Sequence, residues 1–191
     1  MKWDVRTRTR IAVLAAVASA LYMVEIPVVL FYKLDLSNLT ALLGGFAMGP
    51  VAGVLIILIK DLTGLLHTSS SGVGELADFI MSAALVCPAA LVYRAKRTRT
   101  AAVWGMVIGT ALIGVMGALT NYYILFPLYS QFMPLDKIIA MGAEKLPMID
   151  SAFKFVLLIT LPFNLLKGVV LSAMTLLLYK PLAPLLHGKR A

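Results

Sequence analysis

Five apolar stretches, separated by short polar segments, account for most of the chain. They cover 11–31, 39–59, 79–93, 101–129 and 155–179. About 20 apolar residues in a helix cross the hydrocarbon core of a bilayer, and most of these stretches are about that long. The pattern therefore predicts an all-α, multi-pass protein of the cell membrane, in which residues 1–191 form a single transmembrane domain.

Composition and charge agree with this class. The mean hydropathy is +0.93 and only 14% of the residues are charged, which is more apolar surface than a soluble domain can bury. The net charge is +8, but eleven of the seventeen basic residues fall in three clusters beside apolar stretches. This is the positive-inside pattern, which favours the lipid bilayer and not nucleic acid as the partner. The clusters are Lys2, Arg6, Arg8 and Arg10; Arg94, Lys96, Arg97 and Arg99; and Lys180, Lys189 and Arg190.

The number of crossings between clusters indicates how to interpret the second stretch. If all three clusters are cytoplasmic, an even number of helices must separate neighbouring clusters, yet three stretches lie between the first two. Splitting the second stretch at Gly49-Pro50 gives a helix over 39–48, about 15 Å long and too short to span alone, and another over 50–66. The prediction becomes six transmembrane helices, with a short second helix and both termini cytoplasmic.

A helix too short to span predicts a pocket. The non-helical segment 32–38 has to complete the crossing, and irregular backbone at membrane depth is tolerated only where it is buried in protein or lines a cavity. We therefore expect a pocket near the outer face, beside 32–48. Ser37 or Asn38 is the expected cap of the short helix, and segment 130–152 is long enough for a short amphipathic helix over the outer face.

Lys167 lies at the middle of the last apolar stretch. A charge at that depth costs about 3 kcal/mol or more unless it is paired or faces water. Asn164 shares its helix face, and Pro162 loosens the helix one turn before. Lys167 either pairs with an acid on another helix to fix the packing or belongs to a polar patch that faces a ligand. We favour the ligand, because ionisable residues inside membranes are usually functional.

Three further features concern binding or packing. Glu75 and Asp78 share a face at the start of the fourth helix, where acids either complement the helix dipole or line the pocket rim. Asn121 sits among apolar residues, where bonding across helices would explain it. Small residues in the first helix allow close packing, either inside the chain or with a partner. These are Ala12, Ala16 and Ala20.

The chemistry of catalysis and metal binding is missing from the sequence. It contains no GxxxxGK[ST] loop and no HExxH motif, and its two histidines, His67 and His187, are far apart. Glu75 and Asp78 form an acid pair without a nucleophile. We therefore expect a binding protein and not an enzyme, with no cofactor and no metal of its own.

Several segments, in order along the chain, resemble the RibU family, the riboflavin-specific substrate-binding (S) subunits of energy-coupling factor (ECF) transporters. They are 33–38 (KLDLSN) with 49–53 (GPVAG), 72–79 (GVGELADF), 121–123 (NYY) with 127–129 (PLY), and 162–168 (PFNLLKG). The resemblance implies six helices with a short second helix, and riboflavin bound at the outer side and enclosed by the first loop.

The resemblance also implies site residues and partners. Asn121, Asn164 and Lys167 would hydrogen-bond the flavin ring or the ribityl chain. The family carries Pro where this chain has Thr40, and Asn where it has Asp78. The remaining implied binding residues are Thr40, Leu43 and Gly44 at the short helix, Glu75 and Asp78 at the pocket, and Tyr122.

The implied partners are a transmembrane coupling protein and two cytoplasmic ATPases, which would supply the ATP chemistry that this chain lacks. The family's Ala-x-x-x-Ala docking face is matched by Ala12, Ala16 and Ala20.

Three alternatives stay open. The chain could be an S subunit for FMN, thiamine or another small heterocycle, which the colour of the purified protein would test. It could be a membrane-embedded enzyme acting on a lipid or isoprenoid head group, although acid motifs repeated on two helices are absent. It could also be a structural subunit whose polar patch only orders its helices.

Overall fold

A computed structural model describes residues 3–68 and 70–187 of the chain. Within those residues the chain forms seven helices and one β-hairpin. The elements before α4 are α1 (Val5–Tyr22), β1 (Ile26–Val29), β2 (Tyr32–Leu34), α2 (Ser37–Met48) and α3 (Pro50–Gly64). A 3₁₀ turn, Leu65–His67, extends α3. The later helices are α4 (Val73–Lys96), α5 (Arg99–Thr120), α6 (Leu135–Lys145) and α7, whose main segment is Leu161–His187.

Both α5 and α7 contain a π-helical turn close to a proline. Helix α5 continues through the π turn Asn121–Leu125 into Phe126–Tyr129, and α7 begins as Ala152–Phe155 and passes through the π turn Val156–Thr160. Pro127 and Pro162 each lie two residues after a π turn. Proline lacks an N–H and its ring collides with the carbonyl four residues earlier, which here is inside the π turn. Widening the helix relieves that collision, and such turns are frequent at functional sites.

The first helix differs from its predicted range of 11–31. Helix α1 begins at Val5, where Asp4 caps it by accepting the N–H of Thr7 at 3.0 Å, and ends at Tyr22. This hydrogen bonding holds the pKa of the Asp4 carboxyl below its usual value. Beyond Tyr22 the chain forms the antiparallel hairpin β1–β2, because Pro27 and several β-branched residues favour an extended backbone over a helix. Apolar character alone did not reveal this change.

The short second helix is present. Helix α2 has 12 residues, a length of about 18 Å, and Gly49 separates it from α3 with a φ of 100°, a conformation that glycine adopts without strain. The predicted cap by Ser37 or Asn38 is wrong. Asp35 fills that role: its carboxylate accepts the Ser37 N–H at 3.0 Å and also the Ser37 hydroxyl, because an acid two residues before a helix can bond its free N–H groups.

Four stretches of the described residues are long and apolar enough to cross a membrane. Their bounds are Pro50–His67, Val73–Lys96, Arg99–Tyr129 and Ala152–Tyr179. Helix α1 is long enough but carries Arg6, Arg8 and Arg10, and α2 is too short. The chain is therefore a helical membrane protein.

Two packed cores hold the elements together. The larger one lies among α1 to α5 and α7 and includes Ile56, Leu85 and Leu171. The smaller one joins the hairpin, α6 and the start of α7, where α6 buries Ile138 near Phe155. Helix α6 is amphipathic, and its presence within segment 130–152 confirms that a short helix forms there.

Candidate ligand-binding site

A cavity of about 550 Å³ lies between the hairpin and the facing ends of the long helices. Cavities of this size hold small organic ligands in other proteins. Its wall comes from the end of α1, the hairpin and the segment after it, the start of α4, the π turn and last turn of α5, α6, and the middle of α7. The lining residues used below are Tyr22, Glu25, Phe31, Tyr32, Lys33, Asp35, Glu75, Asp78, Asn121, Tyr129, Phe163, Asn164 and Lys167.

Aromatic rings form one side of the cavity. Phe31 lies at the hairpin turn, with its ring centroid 4.8 Å from that of Tyr32 and 6.0 Å from that of Tyr129. The Tyr32 ring in turn lies 5.0 Å from that of Phe163 on α7. Rings at such separations favour offset or tilted contacts and offer flat apolar faces. This side of the cavity suits a planar aromatic ligand.

Ionic groups also line the cavity. Lys167 Nζ lies 2.7 Å from Asp78 Oδ1 and 3.1 Å from Asp35 Oδ2, and all three residues are almost fully buried. They come from α7, α4 and the segment between β2 and α2. Buried charges are tolerated when they are paired and hydrogen-bonded. The lysine thus pairs with acids of other elements and also borders the cavity, so both interpretations of Lys167 find support in its contacts.

A second lysine extends this cluster behind the wall. Lys60 on α3 is fully buried, and its Nζ lies 2.6 Å from Asp78 Oδ2 and 2.5 Å from Asp61 Oδ1. The same Nζ lies 4.3 Å from the centre of the Tyr22 ring, within range of a cation–π contact. Asp78 is therefore shared by two lysines. We call Asp35, Lys60, Asp61, Asp78 and Lys167 the ion-pair network.

Two buried oxygen atoms, one on the network residue Asp61 and one on its neighbour Asn38, lack hydrogen-bond partners among the described residues. Asn38 donates its Nδ2 to Asp78 Oδ2 at 3.2 Å, but its Oδ1 accepts no hydrogen bond. Asp61 Oδ2 is likewise buried without a partner in the described part of the chain. Ser82 lies one turn after Asp78 and donates its hydroxyl to Asp78 Oδ2 at 3.1 Å. The hydrogen bonds of the network thus converge on Asp78, whereas Asp61 on α3 keeps an oxygen without a hydrogen bond.

Tyr32 joins the two π turns. Its hydroxyl donates to Asn121 Oδ1 at 2.9 Å and lies 2.6 Å from the hydroxyl oxygen of Thr160. Asn121 belongs to the π turn of α5 and Thr160 to that of α7, and both are buried. A buried polar group needs such partners, since leaving one unsatisfied costs about 1–3 kcal/mol. The hairpin is therefore fixed against both helices at the cavity.

The two asparagines hold matching positions on α5 and α7. Asn121 Nδ2 donates to Gly117 O at 2.8 Å, and Asn164 Nδ2 donates to Thr160 O at 2.9 Å. Each amide nitrogen has a second hydrogen that these bonds do not use. A Cβ atom at Gly117 would come within 2.6 Å of Asn164 Nδ2. Glycine there lets the Asn164 amide lie against α5.

Glu75 and the hairpin supply the remaining charges. Glu75 is 6% exposed, and its Oε2 accepts the hydroxyls of Thr68 at 3.0 Å and Ser70 at 3.3 Å. Lys33 and Glu25 form a partly exposed ion pair across the hairpin. Glu75 thus has hydroxyl partners, and Lys33 has a carboxylate partner.

The structure brings five of the predicted binding residues together around the cavity: Glu75, Asp78, Asn121, Asn164 and Lys167. Four others do not line it. Thr40, Leu43 and Gly44 are buried in the packing of α2, and the Thr40 hydroxyl bonds Ser37 O at 2.8 Å. Tyr122 is 40% exposed and packs on Tyr123, because it follows the inward-facing Asn121 on the helix. The ligand contacts of these four stay predictions that their positions do not support.

The sequence did not identify several residues of the site. They are Asp35, Lys60, Asp61, Tyr32 and Thr160, which take part in its ion pairs and hydrogen bonds. Asp61 pairs with the adjacent Lys60, whereas the others have partners 18 to 132 residues away. Lys60 and Asp61 did give a signal, since they are adjacent charges at the end of an apolar stretch. Both residues fall inside the predicted helix over 50–66, and their spacing alone does not show which helix they face. Tyr32 and Thr160 gave none.

Comparison with known proteins agrees with this arrangement. A sequence model of the family described as "ECF transporter, substrate-specific component" matches residues 6–179. The Riboflavin transporter RibU of Staphylococcus aureus (strain TCH60) is 32% identical over 176 residues, covering 91% of this chain and 88% of that protein. The Riboflavin transporter FmnP of Bacillus subtilis (strain 168) is 25% identical, covering 95% and 94%.

A solved structure has the same fold. It is described as "Structure and mechanism of the S component of a bacterial ECF transporter" and superposes with a TM-score of 0.74, at 29% identity, covering 97% of this chain and 98% of that chain. The helices and the cavity define a membrane protein with a site of small-molecule size. More narrowly, the chain belongs to the family of substrate-specific components of ECF transporters, which is a transporter family and not an enzyme family.

Proposed function

We propose that the chain is the riboflavin-binding subunit of an ECF-type importer. The observation that carries this proposal is the cavity of about 550 Å³, which is lined by aromatic rings and by buried amide and ionic groups. Flavin joins a flat aromatic ring system to a polar ribityl chain, so it needs both kinds of surface. Relatives named as riboflavin transporters, similar over most of their length, support the same ligand.

The binding chemistry follows from the donors and acceptors at the cavity. Asn121 and Asn164 offer amide hydrogens, and Lys167 offers an ammonium group, to the carbonyl oxygens and ring nitrogens of the flavin. Asp78 and Glu75 accept hydrogen bonds from the ring N–H or from ribityl hydroxyls. The Phe31 side of the cavity, with Tyr32 and Phe163, packs on the ring. The hairpin covers the ligand.

The proposed topology follows the positive-inside rule. The chain is one transmembrane domain of six helices, α1 to α5 and α7, with the short α2 as the second and both termini cytoplasmic. It lies in the cell membrane and takes up riboflavin from the outer side. Helix α6 then lies over the outer face, beside the cavity.

Transport requires partners. A transmembrane coupling protein and two cytoplasmic ATPases supply the energy for release inside. The coupling protein docks on a stripe of α1 formed by Ala12, Ala16 and Ala20, all three of which are exposed while the neighbouring Ala15 and Ala18 are buried. Small exposed residues on one helix face let a second helix approach closely in lipid.

A fluorescence titration tests the ligand. The protein purified in detergent should quench the fluorescence of added riboflavin at close to one ligand per chain, whereas thiamine at the same concentration should not displace it. A variant with Asn121→Leu and Asn164→Leu should lose the quenching while keeping its helical circular dichroism. A well-folded sample that leaves micromolar riboflavin unbound would overturn the flavin proposal, and displacement by thiamine would point to another vitamin.

A further inference from the structure

A second, smaller cavity lies beside the ligand cavity, and Phe163 lines both. It has a volume of about 260 Å³, and strand β1, the end of α6 and part of α7 form its wall. Eight of its nine lining residues are apolar and the ninth is Lys145, so the wall combines an apolar surface with one cation. We call this cavity the lateral groove. The lining residues used below are Val28, Lys145, Leu158, Pro162, Phe163 and Leu166.

The apolar part of the lateral groove is elongated and faces the bilayer. Leu158, Pro162 and Leu166 follow one another every four residues along α7, which corresponds to about 12 Å of helix. They belong to Ala152–Tyr179, one of the stretches that can cross a membrane. Leu166 is 49% exposed and Val28, on the facing strand, is 45% exposed. Exposed apolar side chains at this depth meet lipid hydrocarbon, so an acyl chain fits along this surface.

The cation lies at one end of the lateral groove. On α6, Gly142 packs against Phe155 in the first turn of α7, since a Cβ added at Gly142 would lie 2.6 Å from the ring. Lys145, less than one turn later, is thereby held at the end of the groove where Leu158 lies. It is exposed and forms no ion pair with the described residues. The preceding Glu144 does not line the groove, and adjacent residues of a helix do not face each other.

We propose that the lateral groove binds an anionic phospholipid, with one acyl chain along α7 and the headgroup phosphate at Lys145. A lysine at a membrane surface can lay its apolar stem on hydrocarbon while its ammonium group stays among the headgroups. One such lysine favours an anionic lipid by about fivefold over a lipid without net charge. The choline group of a zwitterionic lipid would instead bring a second cation beside Lys145. This inference is independent of the ligand that the larger cavity binds.

The test uses tryptophan fluorescence, which bromine atoms on a lipid acyl chain quench on contact. The two native tryptophans are changed to phenylalanine (Trp3→Phe and Trp104→Phe), and Val169→Trp supplies the reporter. Val169 is 56% exposed, lies three residues after Leu166 on α7 and does not line the lateral groove, so the groove itself is unchanged. The protein is reconstituted in phosphatidylcholine vesicles that contain either brominated phosphatidylglycerol or brominated phosphatidylcholine. We expect phosphatidylglycerol to reach half-maximal quenching at about a fivefold lower mole fraction.

Three further samples locate the source of this preference. Lys145→Gln should abolish it, because the headgroup loses its cation. Lys137→Gln is the matched control: Lys137 is also exposed on α6 but does not line the lateral groove, so the preference should remain. A reporter moved to α3, as Leu58→Trp in place of Val169→Trp, should show no preference between the two lipids. Leu58 is exposed, and α3 contributes no residue to the groove.

Each result supports the inference or overturns it. Equal quenching by the two lipids at Val169→Trp, or a preference that survives in Lys145→Gln, overturns it. So does an equal loss in Lys137→Gln, which would assign the preference to the overall charge of α6, and so does the same preference at Leu58→Trp. Quenching by neither lipid would mean that protein, such as a second copy of the chain, covers the groove. Circular dichroism checks that every variant is folded, and riboflavin titration of the same vesicles tests the proposed function separately.

Discussion

Lys167 of α7 and Asp78 of α4 are 89 residues apart in the chain, and their side chains meet in an ion pair of 2.7 Å at the cavity wall. Asp78 also pairs with Lys60, and Lys167 also pairs with Asp35. The contact therefore links three helices to the segment that follows the hairpin. A ligand that engages Lys167 would act on the same groups that hold this segment in place.

Replacing Lys167 with methionine should affect both ligand binding and stability. The change removes a charge-assisted donor, so riboflavin binding should weaken by about 1–3 kcal/mol. It also leaves the buried Asp35 without its cation, which should lower the melting temperature of the ligand-free protein, since breaking a buried pair costs about 3–5 kcal/mol. Fluorescence titration and thermal unfolding of the same preparation measure the two effects.

Lys154→Met is the matched control for this prediction. Lys154 pairs with Asp150, but both side chains are largely exposed, and exposed pairs contribute about 0–1 kcal/mol. Loss of the Lys154 charge should therefore change neither riboflavin binding nor the melting temperature measurably. Unchanged riboflavin binding in Lys167→Met, together with a lower melting temperature, would mean that the lysine serves packing alone.

Local features of the fold were predictable, whereas its long-range contacts were not. The break at Gly49-Pro50 and the short α2 can be read from neighbouring residues. The break was also needed to give an even number of membrane crossings between the first two basic clusters. The hairpin was missed because an apolar β-branched segment after α1 continues the same hydropathy. Asp35 and Lys167 meet across 132 residues, and nothing in their immediate sequence identifies the partner.

The same division holds for the candidate site: residues close together in sequence were predicted, and partners on other helices were not. Asn164 and Lys167 share a helix face and both line the cavity, as their spacing indicated. Lys60 lies within the predicted helix over 50–66, and only the packing of α3 against α4 shows that its ammonium group is buried beside Asp78. Residues whose role depends on contact with a neighbouring helix could not be identified as site residues from one sequence.

Tyr32→Phe should loosen the hairpin over the cavity. The substitution keeps the ring but removes the hydroxyl that bonds Asn121 at 2.9 Å and lies 2.6 Å from the hydroxyl of Thr160. The two buried groups would lose their shared partner, at a cost of about 1–3 kcal/mol. We expect riboflavin to dissociate several-fold faster, measured by stopped-flow fluorescence after adding excess competitor.

Tyr123→Phe serves as the control, since the Tyr123 side chain is 68% exposed and does not line the cavity. Removing its hydroxyl should leave the dissociation rate unchanged. If Tyr32→Phe also dissociates at the native rate, the hydroxyl does not fix the hairpin, and closure must depend on the aromatic contacts.

The proposed topology can be tested by labelling cysteines in a Cys87→Ser background. Lys137→Cys, on α6, should react with a membrane-impermeant maleimide added to intact cells. Lys96→Cys, at the end of α4, should react only after the membrane is opened. Both positions are exposed on the protein surface, so accessibility depends on the side of the membrane. Labelling of both from the same side would contradict an odd number of crossings between them, and with it the six-helix arrangement.

The final prediction separates transport from binding and concerns Ala16 on α1. The Ala12, Ala16 and Ala20 stripe is exposed, and helices approach closely in lipid only where side chains are small. A leucine at position 16 would hold a partner helix away by the thickness of a side chain. Leucine is a good helix former and lipid accepts it, so Ala16→Leu should keep riboflavin affinity and melting temperature.

Ala16→Leu should nevertheless abolish ATP-dependent riboflavin uptake and co-purification with the coupling protein. Ala111→Leu makes the same change at an exposed position of α5 and should leave both intact, because the added bulk there faces only lipid. Loss of folding or binding in Ala16→Leu would show that the stripe packs inside the protein. Normal uptake would show that the coupling protein docks elsewhere, and loss of uptake in both variants would show that bulk on any lipid-facing helix is enough to disturb transport.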